Sequence, residues 1–192
     1  MTDPAVQRFL DAQSAFASLV DSIGDDQWSN STPCPDWNVR ALVNHLVGEQ
    51  LWAEPMLTGK TIEEVGDRYS GDLLGDDPAS IWREAAKASA TAFKAPGALD
   101  GTINSSMGPS PATQYAVEMT SDLIAHRWDL GQGIGQEQHF SDAELEQLEA
   151  MEESLTPSRA ALEAAGIFGP VLPTDSSASR QTKILAAMGR TG

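Results

Sequence analysis

Cysteine is all but missing from this chain: Cys34 is the only one in 192 residues. A lone thiol closes no internal disulfide, so the expected compartment is a reducing cytoplasm. Basic residues are scarce too, with 12 Lys and Arg against 28 Asp and Glu and a formal net charge of −16. Such a surface repels phosphate backbones and anionic lipid faces, which argues against nucleic acid and membranes as partners. No apolar run approaches the roughly 20 residues that cross a bilayer. The opening MTDPAVQRFLDAQ lacks a basic segment followed by an apolar stretch, so no export signal is expected. Histidine is sparse, at His45, His126 and His139, and that scarcity makes the placement of each one informative.

What the chain does have is clear helix punctuation. Asp3-Pro4 and Asp77-Pro78 read as N-caps with proline at the first helical position, and Ser110-Pro111 reads as a third such cap. Behind the first, Val6, Phe9, Leu10, Gln13, Phe16, Val20 and Ile23 recur on one helical face. A second helix is expected from about Asn38 through Leu42, Leu46 and Leu51, stopping before Pro55. A third runs through Ile81, Trp82, Ala85 and Phe93, and a fourth through Tyr115, Met119, Leu123 and Leu130 to Gly131–Gly135. Residues 56–76 read as a loop with one helical turn. Residues 96–110 hold too many Gly, Ser and Pro for a helix, although one short extended piece fits there. Ser141 with Glu144 is a capping box that opens an acidic helix, restarted at Thr156-Pro157 and closed by Gly166. SRQTKILAAM then reads as a short final helix. The pattern predicts an all-α fold, a four-helix bundle with additional short C-terminal helices. Residues 1–166 would form the bundle domain, with 167–192 a connector and a C-terminal helix packed on it.

Two helices carry candidate chemistry. On the second, Leu42, His45, Leu46 and Glu49 share one side; on the fourth, Tyr115, Met119, Asp122, His126 and Asp129 do. Facing helices of a bundle can therefore bring His45, Asp122 and His126 to one point. Two neutral imidazoles and one carboxylate suit a divalent cation with an open coordination position, zinc first, with nickel or ferrous iron as alternatives. Glu49 and Asp129 lie a turn from these residues and could orient them, and Trp128 could line an adjoining pocket. The plainer reading stays open. An Asp–His pair at i, i+4 is often a surface pair worth about 0.2–0.5 kcal/mol, and His45 could be a satisfied core histidine. Cys34 in TPCPDW reads as a small buried turn residue, His139 as a loop residue, and the other tryptophans as packing. GQGIG follows no strand, so it is not read as a nucleotide loop.

TPCPDWNVRALVNHLVGEQ, followed much later by DLIAHRWDLGQG, resembles the metal-binding domain of the mycothiol-dependent maleylpyruvate isomerase family, within the DinB-like four-helix-bundle superfamily. The ending KILAAMGR is similar to the family's short C-terminal helix. The resemblance implies a divalent metal held by a histidine on the second helix and an acidic-x-x-x-His pair on a later one, here His45, Asp122 and His126. It also implies mycothiol as a thiol cosubstrate. The family's isomerase has Glu where this chain has Asp122, one methylene shorter, and a further C-terminal domain. Here 26 residues follow Gly166, too few for a second core.

The functional expectation is a metal-dependent enzyme that activates a small thiol for S-transfer to, or isomerisation of, a small electrophile. Two other classes share the scaffold: a metal-dependent hydrolase, and a non-catalytic metal-binding or stress-associated bundle. A homodimer formed through an exposed helix face is compatible with each of them.

Overall fold

The computed structural model describes residues 2–105, 108–164 and 169–191. Helix α1 spans Pro4–Val20, α2 Val39–Leu57, the short α3 Ile62–Val65, α4 Pro78–Phe93 and α5 Ala112–Ile134. After them come α6 (Asp142–Leu155), a 3-10 turn at Thr156–Ser158, α7 (Arg159–Ala164) and α8 (Arg180–Ala187). Strands β1 (Thr102–Ser105) and β2 (Gly108–Pro111) pair antiparallel just before α5. The architecture is an all-α bundle. Helices α1 and α2 each pack against both α4 and α5, while α6 lies on α5 and α8 on α6.

Local chemistry explains where most helices begin. Asp3 accepts from the Ala5 amide at 2.7 Å, Asn38 from Ala41 at 2.9 Å and Asp77 from Ser80 at 3.0 Å. Each satisfies an amide that the first turn leaves without a partner. Ser141 and Glu144 form the expected capping box, and Ser179 caps α8. The apolar stripes meet in one core. Phe9 packs against Phe93 at 4.4 Å between ring centroids, and Phe16 against Trp82 at 4.7 Å. Burying rings of this size contributes roughly 1.5–3 kcal/mol each. A polar link crosses this core, where Gln13 Nε2 donates to Gln50 Oε1 at 2.8 Å and to the Ala86 carbonyl at 3.0 Å.

Two expectations about helix ends are corrected. α2 does not stop before Pro55 but runs through it to Leu57. The proline forfeits the hydrogen bond that an amide at 55 would donate to the Leu51 carbonyl, a cost offset by packing, since Ala53, Pro55 and Met56 are all buried. Ser110-Pro111 does not cap α5 through a side chain: Ser110 belongs to β2, opposite Ile103, and Pro111 makes no capping hydrogen bond. The hairpin takes over that role, since the Ala112 amide donates to the Gly101 carbonyl at 3.0 Å. The extended piece expected within 96–110 is this hairpin, and the single helical turn expected in 56–76 is α3.

The C-terminal segment joins the same core through Ile184, Leu185 and Met188. The helix end expected at Gly166, and with it the boundary between 166 and 167, lies outside the described residues. Among the described residues no helix is long and apolar enough to cross a membrane.

Candidate metal centre

The loop that leads into α2 is cinched before it delivers His45. Thr32 Oγ1 donates to the Trp37 carbonyl at 2.7 Å and accepts from the Cys34 amide at 3.2 Å. Asn30 Nδ2 ties the same loop to the Gly133 carbonyl near the end of α5, at 2.9 Å. The approach there is tight: a Cβ on Gly133 would stand 2.8 Å from Val39 Cγ2. Glycine at 133 thus lets the start of α2 and the end of α5 close on each other, with their polar residues between them.

That closure brings His45, Asp122 and His126 together. Asp122 bridges the two imidazoles, with Oδ2 at 3.3 Å from His45 Nε2 and Oδ1 at 3.3 Å from His126 Nε2. One donor atom from each residue lies within 4.8 Å of the others. The rings stand 5.3 Å apart at 76°. Bonds of about 2.1 Å to a tetrahedral cation would separate neighbouring donors by roughly 3.4 Å. The donor set therefore fits a divalent cation in chemistry and in spacing.

Behind His126 lies a carboxylate. Asp129, fully buried and three residues on, places Oδ2 at 2.8 Å from His126 Nδ1. This contact orients the ring so that Nε2 faces Asp122, the arrangement commonly seen around metal-bound histidine. Arg190, just past α8, grips Asp129: Nε lies 2.8 Å from Oδ1 and Nη2 2.6 Å from Oδ2. Burial opposes ionisation of Asp129, but the bonds from His126 and Arg190 outweigh it and hold the carboxyl below its ordinary range. Burial likewise opposes charge on Asp122 and on His126. Their mutual attraction prevails, lowering the Asp122 carboxyl and raising the His126 imidazole. A cation bound between these residues would replace the proton that this attraction favours.

Cys34 is more than a turn residue. Its Sγ donates to Asp129 Oδ2 at 3.4 Å and lies 3.9 Å from both His126 Nδ1 and Arg190 Nη2. Cys34, His126 and Asp129 also satisfy the distances for a metal cluster. A cation there would face the Arg190 guanidinium, so repulsion disfavours that set.

Of the flanking residues read from sequence, Asp129 stands directly behind a candidate ligand. Glu49 is half-buried near the centre. Burial and then the Asp122 charge push its carboxyl up, with His45 and His126 pulling the other way. Trp128 is placed elsewhere, for it lines a separate cavity of about 740 Å³ with Gly131, Phe140 and Leu185. Two residues past His126 it points about 200° around the helix. The aromatic wall is instead Trp37, with its ring 4.6 Å from His45 and 5.5 Å from His126. Trp37 and His45 also border an opening of about 550 Å³, edged by Asn38, Arg40, Asn44 and Asp72. His139 sits on the surface beside Glu137.

Residues 9–131 match the model of the mycothiol maleylpyruvate isomerase N-terminal domain. The chain belongs to that family. Its bundle is accordingly DinB-like, and membership marks it as a mycothiol-related domain with a candidate metal centre. Two similar relatives come from Mycobacterium tuberculosis, the uncharacterized protein MT0763 of strain CDC 1551 and the uncharacterized protein Rv0738 of strain H37Rv. Each is 29% identical over 130 residues, which is 65% of this chain and 64% of the relative. The chain thus spans less than two thirds of the length of the curated relatives it matches. No solved structure matches the chain.

Proposed function

We propose that this family member is an enzyme that binds one divalent cation, zinc by preference, through His45, Asp122 and His126 and uses it to activate a small thiol such as mycothiol. The observation that carries the reading is the bridging of two histidines on different helices by one carboxylate at 3.3 Å to each. A cation held there would lower the pKa of a bound thiol and so supply a thiolate at neutral pH.

The rest is done by the chain's own groups. Asp129 fixes the His126 ring and keeps Nδ1 engaged, so Nε2 stays directed at the centre. Trp37 shields the imidazoles on one side. Glu49, half-buried one turn beyond His45, has its carboxyl raised above the ordinary range by burial and by the Asp122 charge, which suits it to exchange a proton beside the reacting groups. The opening edged by Asn38, Arg40, Asn44 and Asp72 offers hydrogen-bonding groups to a polar thiol or a small electrophile. The reaction class is S-transfer to an electrophile, or isomerisation by thiol addition and elimination.

The test is metal analysis of purified protein, followed by thiol-consumption assays of the zinc-loaded form with mycothiol and a panel of small electrophiles, maleylpyruvate among them. Thiol consumption or isomerisation that disappears in the His126→Ala variant supports the reading. Turnover of esters or amides without any thiol would replace it with a hydrolase. Metal binding with no turnover of any kind would leave a binding bundle and overturn the catalytic claim.

A further inference from the structure

Arg190 reaches the candidate centre from 61 residues away in sequence. The chain leaves α8 through Gly189, whose φ of 80° is open to glycine at little cost. A Cβ on Gly189 would also stand 3.0 Å from Gly169 Cα. This turn, secured by the Arg190 amide donating to the Leu185 carbonyl at 2.8 Å, aims the side chain at α5. There the guanidinium contacts both oxygens of Asp129, and Nη1 donates to the Met188 carbonyl at 3.0 Å. The Asp129 side chain is 0% exposed and that of Arg190 is 13% exposed.

A buried ion pair of this kind is a poor stability device, because desolvation offsets most of the attraction. Its geometry points to a different role. Asp129 is gripped at two points by Arg190, and the same Oδ2 faces His126 Nδ1 at 2.8 Å. A carboxylate so held is an acceptor with a fixed direction, and the ring nitrogen facing it must carry the hydrogen. The other nitrogen, Nε2, is then left to present its lone pair beside Asp122 and His45.

We propose that Arg190 is a positioning residue of the metal centre: it locks Asp129, Asp129 locks His126 with Nε2 available to a cation, and cation affinity is thereby coupled to the docking of α8. The proposal rests on the reading of His45, Asp122 and His126 as ligands. Coupling of this sort is reciprocal, so a bound cation must also tighten α8.

The experiment uses Zn²⁺ alone as the probe, titrated against a chromophoric chelator. Amide hydrogen exchange of residues 180–187 is followed with and without Zn²⁺. Wild-type protein should bind the ion and show slower exchange in α8 when loaded. Arg190→Met should lose roughly 10–100-fold in affinity, as outer-shell substitutions do, and Zn²⁺ should no longer slow exchange in α8. Arg190 acting only as a brace for α8 would raise exchange equally in both states and leave affinity unchanged, which overturns the proposal. If Arg190→Met does not fold, Arg190→Lys decides. It keeps the charge but cannot make the two-point grip, so weaker Zn²⁺ binding supports the proposal and wild-type affinity overturns it. Wild-type protein that binds no Zn²⁺ removes the ligand reading itself, an outcome separate from intact binding in the variants.

Discussion

Asp122 Oδ2 on α5 reaches across the bundle to within 3.3 Å of His45 Nε2 on α2. A charged group thus links the two helices, and a carboxylate set between imidazoles attracts either protons or a cation.

Removing either kind of donor should abolish tight binding. His126→Ala takes away one imidazole, and Asp122→Asn keeps the shape but removes the negative charge. In both, Zn²⁺ affinity measured by chelator competition should fall by more than the roughly 10–100-fold typical of outer-shell changes. The helical circular dichroism should persist, because the apolar core does not pass through these side chains. Retention of wild-type affinity in Asp122→Asn would refute its role as a ligand.

Stability should depend on pH in opposite senses with and without metal. In chelator, His126 titrates above its ordinary 6.5: burial opposes charge, but Asp122 and then Asp129 and Cys34 outweigh it. Its contribution is complete below the unfolded value and is lost as pH rises through the higher folded value. Asp129, held below its ordinary 3.8, contributes above that value and loses its contribution as pH falls through the lower folded one. With Zn²⁺ present, raising the pH removes competing protons from the imidazoles and strengthens binding. Urea midpoints taken stepwise from pH 6 upward should therefore diverge between chelator and Zn²⁺ series. Parallel trends would contradict the arrangement.

Gly133→Ala should destabilise the protein although alanine is the better helix former. The helix gains about 1 kcal/mol from losing glycine. The added methyl, however, meets Val39 Cγ2 at 2.8 Å and Thr32 Cγ2 at 3.2 Å. Overpacking against a short β-branched side chain costs typically 1–3 kcal/mol, so the net effect is a loss of up to about 2 kcal/mol in denaturant unfolding. The loop carrying Cys34 and Trp37 should shift with it, seen as altered tryptophan fluorescence.

Asn38→Ala should cost about 1 kcal/mol by leaving the Ala41 amide without its cap. Because α2 carries His45 less than two turns further on, Zn²⁺ affinity should fall slightly as well. Asn38→Asp, which can accept the same bond, should restore stability in urea unfolding.

The helices were legible in the sequence because their signals are local. Caps such as Asp3, Asn38 and Ser141 act on amides two or three residues away, and an apolar stripe declares its face at every turn. The i, i+4 relation of Asp122 to His126 and the i, i+3 step to Asp129 follow from helix geometry alone. Where local signals misled, a neighbour remote in sequence had taken over. Gly101 supplies the carbonyl that starts α5, so Ser110 is free to sit in a strand, and burial carries α2 through Pro55.

Sequence alone determined which residues share a helical face, since 3.6 residues per turn is a property of the backbone and needs no partner. Only the tertiary structure decided which faces meet. It set Trp37 rather than Trp128 against the imidazoles, placed the Cys34 thiol near Asp129, and brought Arg190 from the end of α8 to that same carboxylate. Such meetings depend on loop paths and helix crossing angles, which arise from the packing of the whole core rather than from any short run of residues.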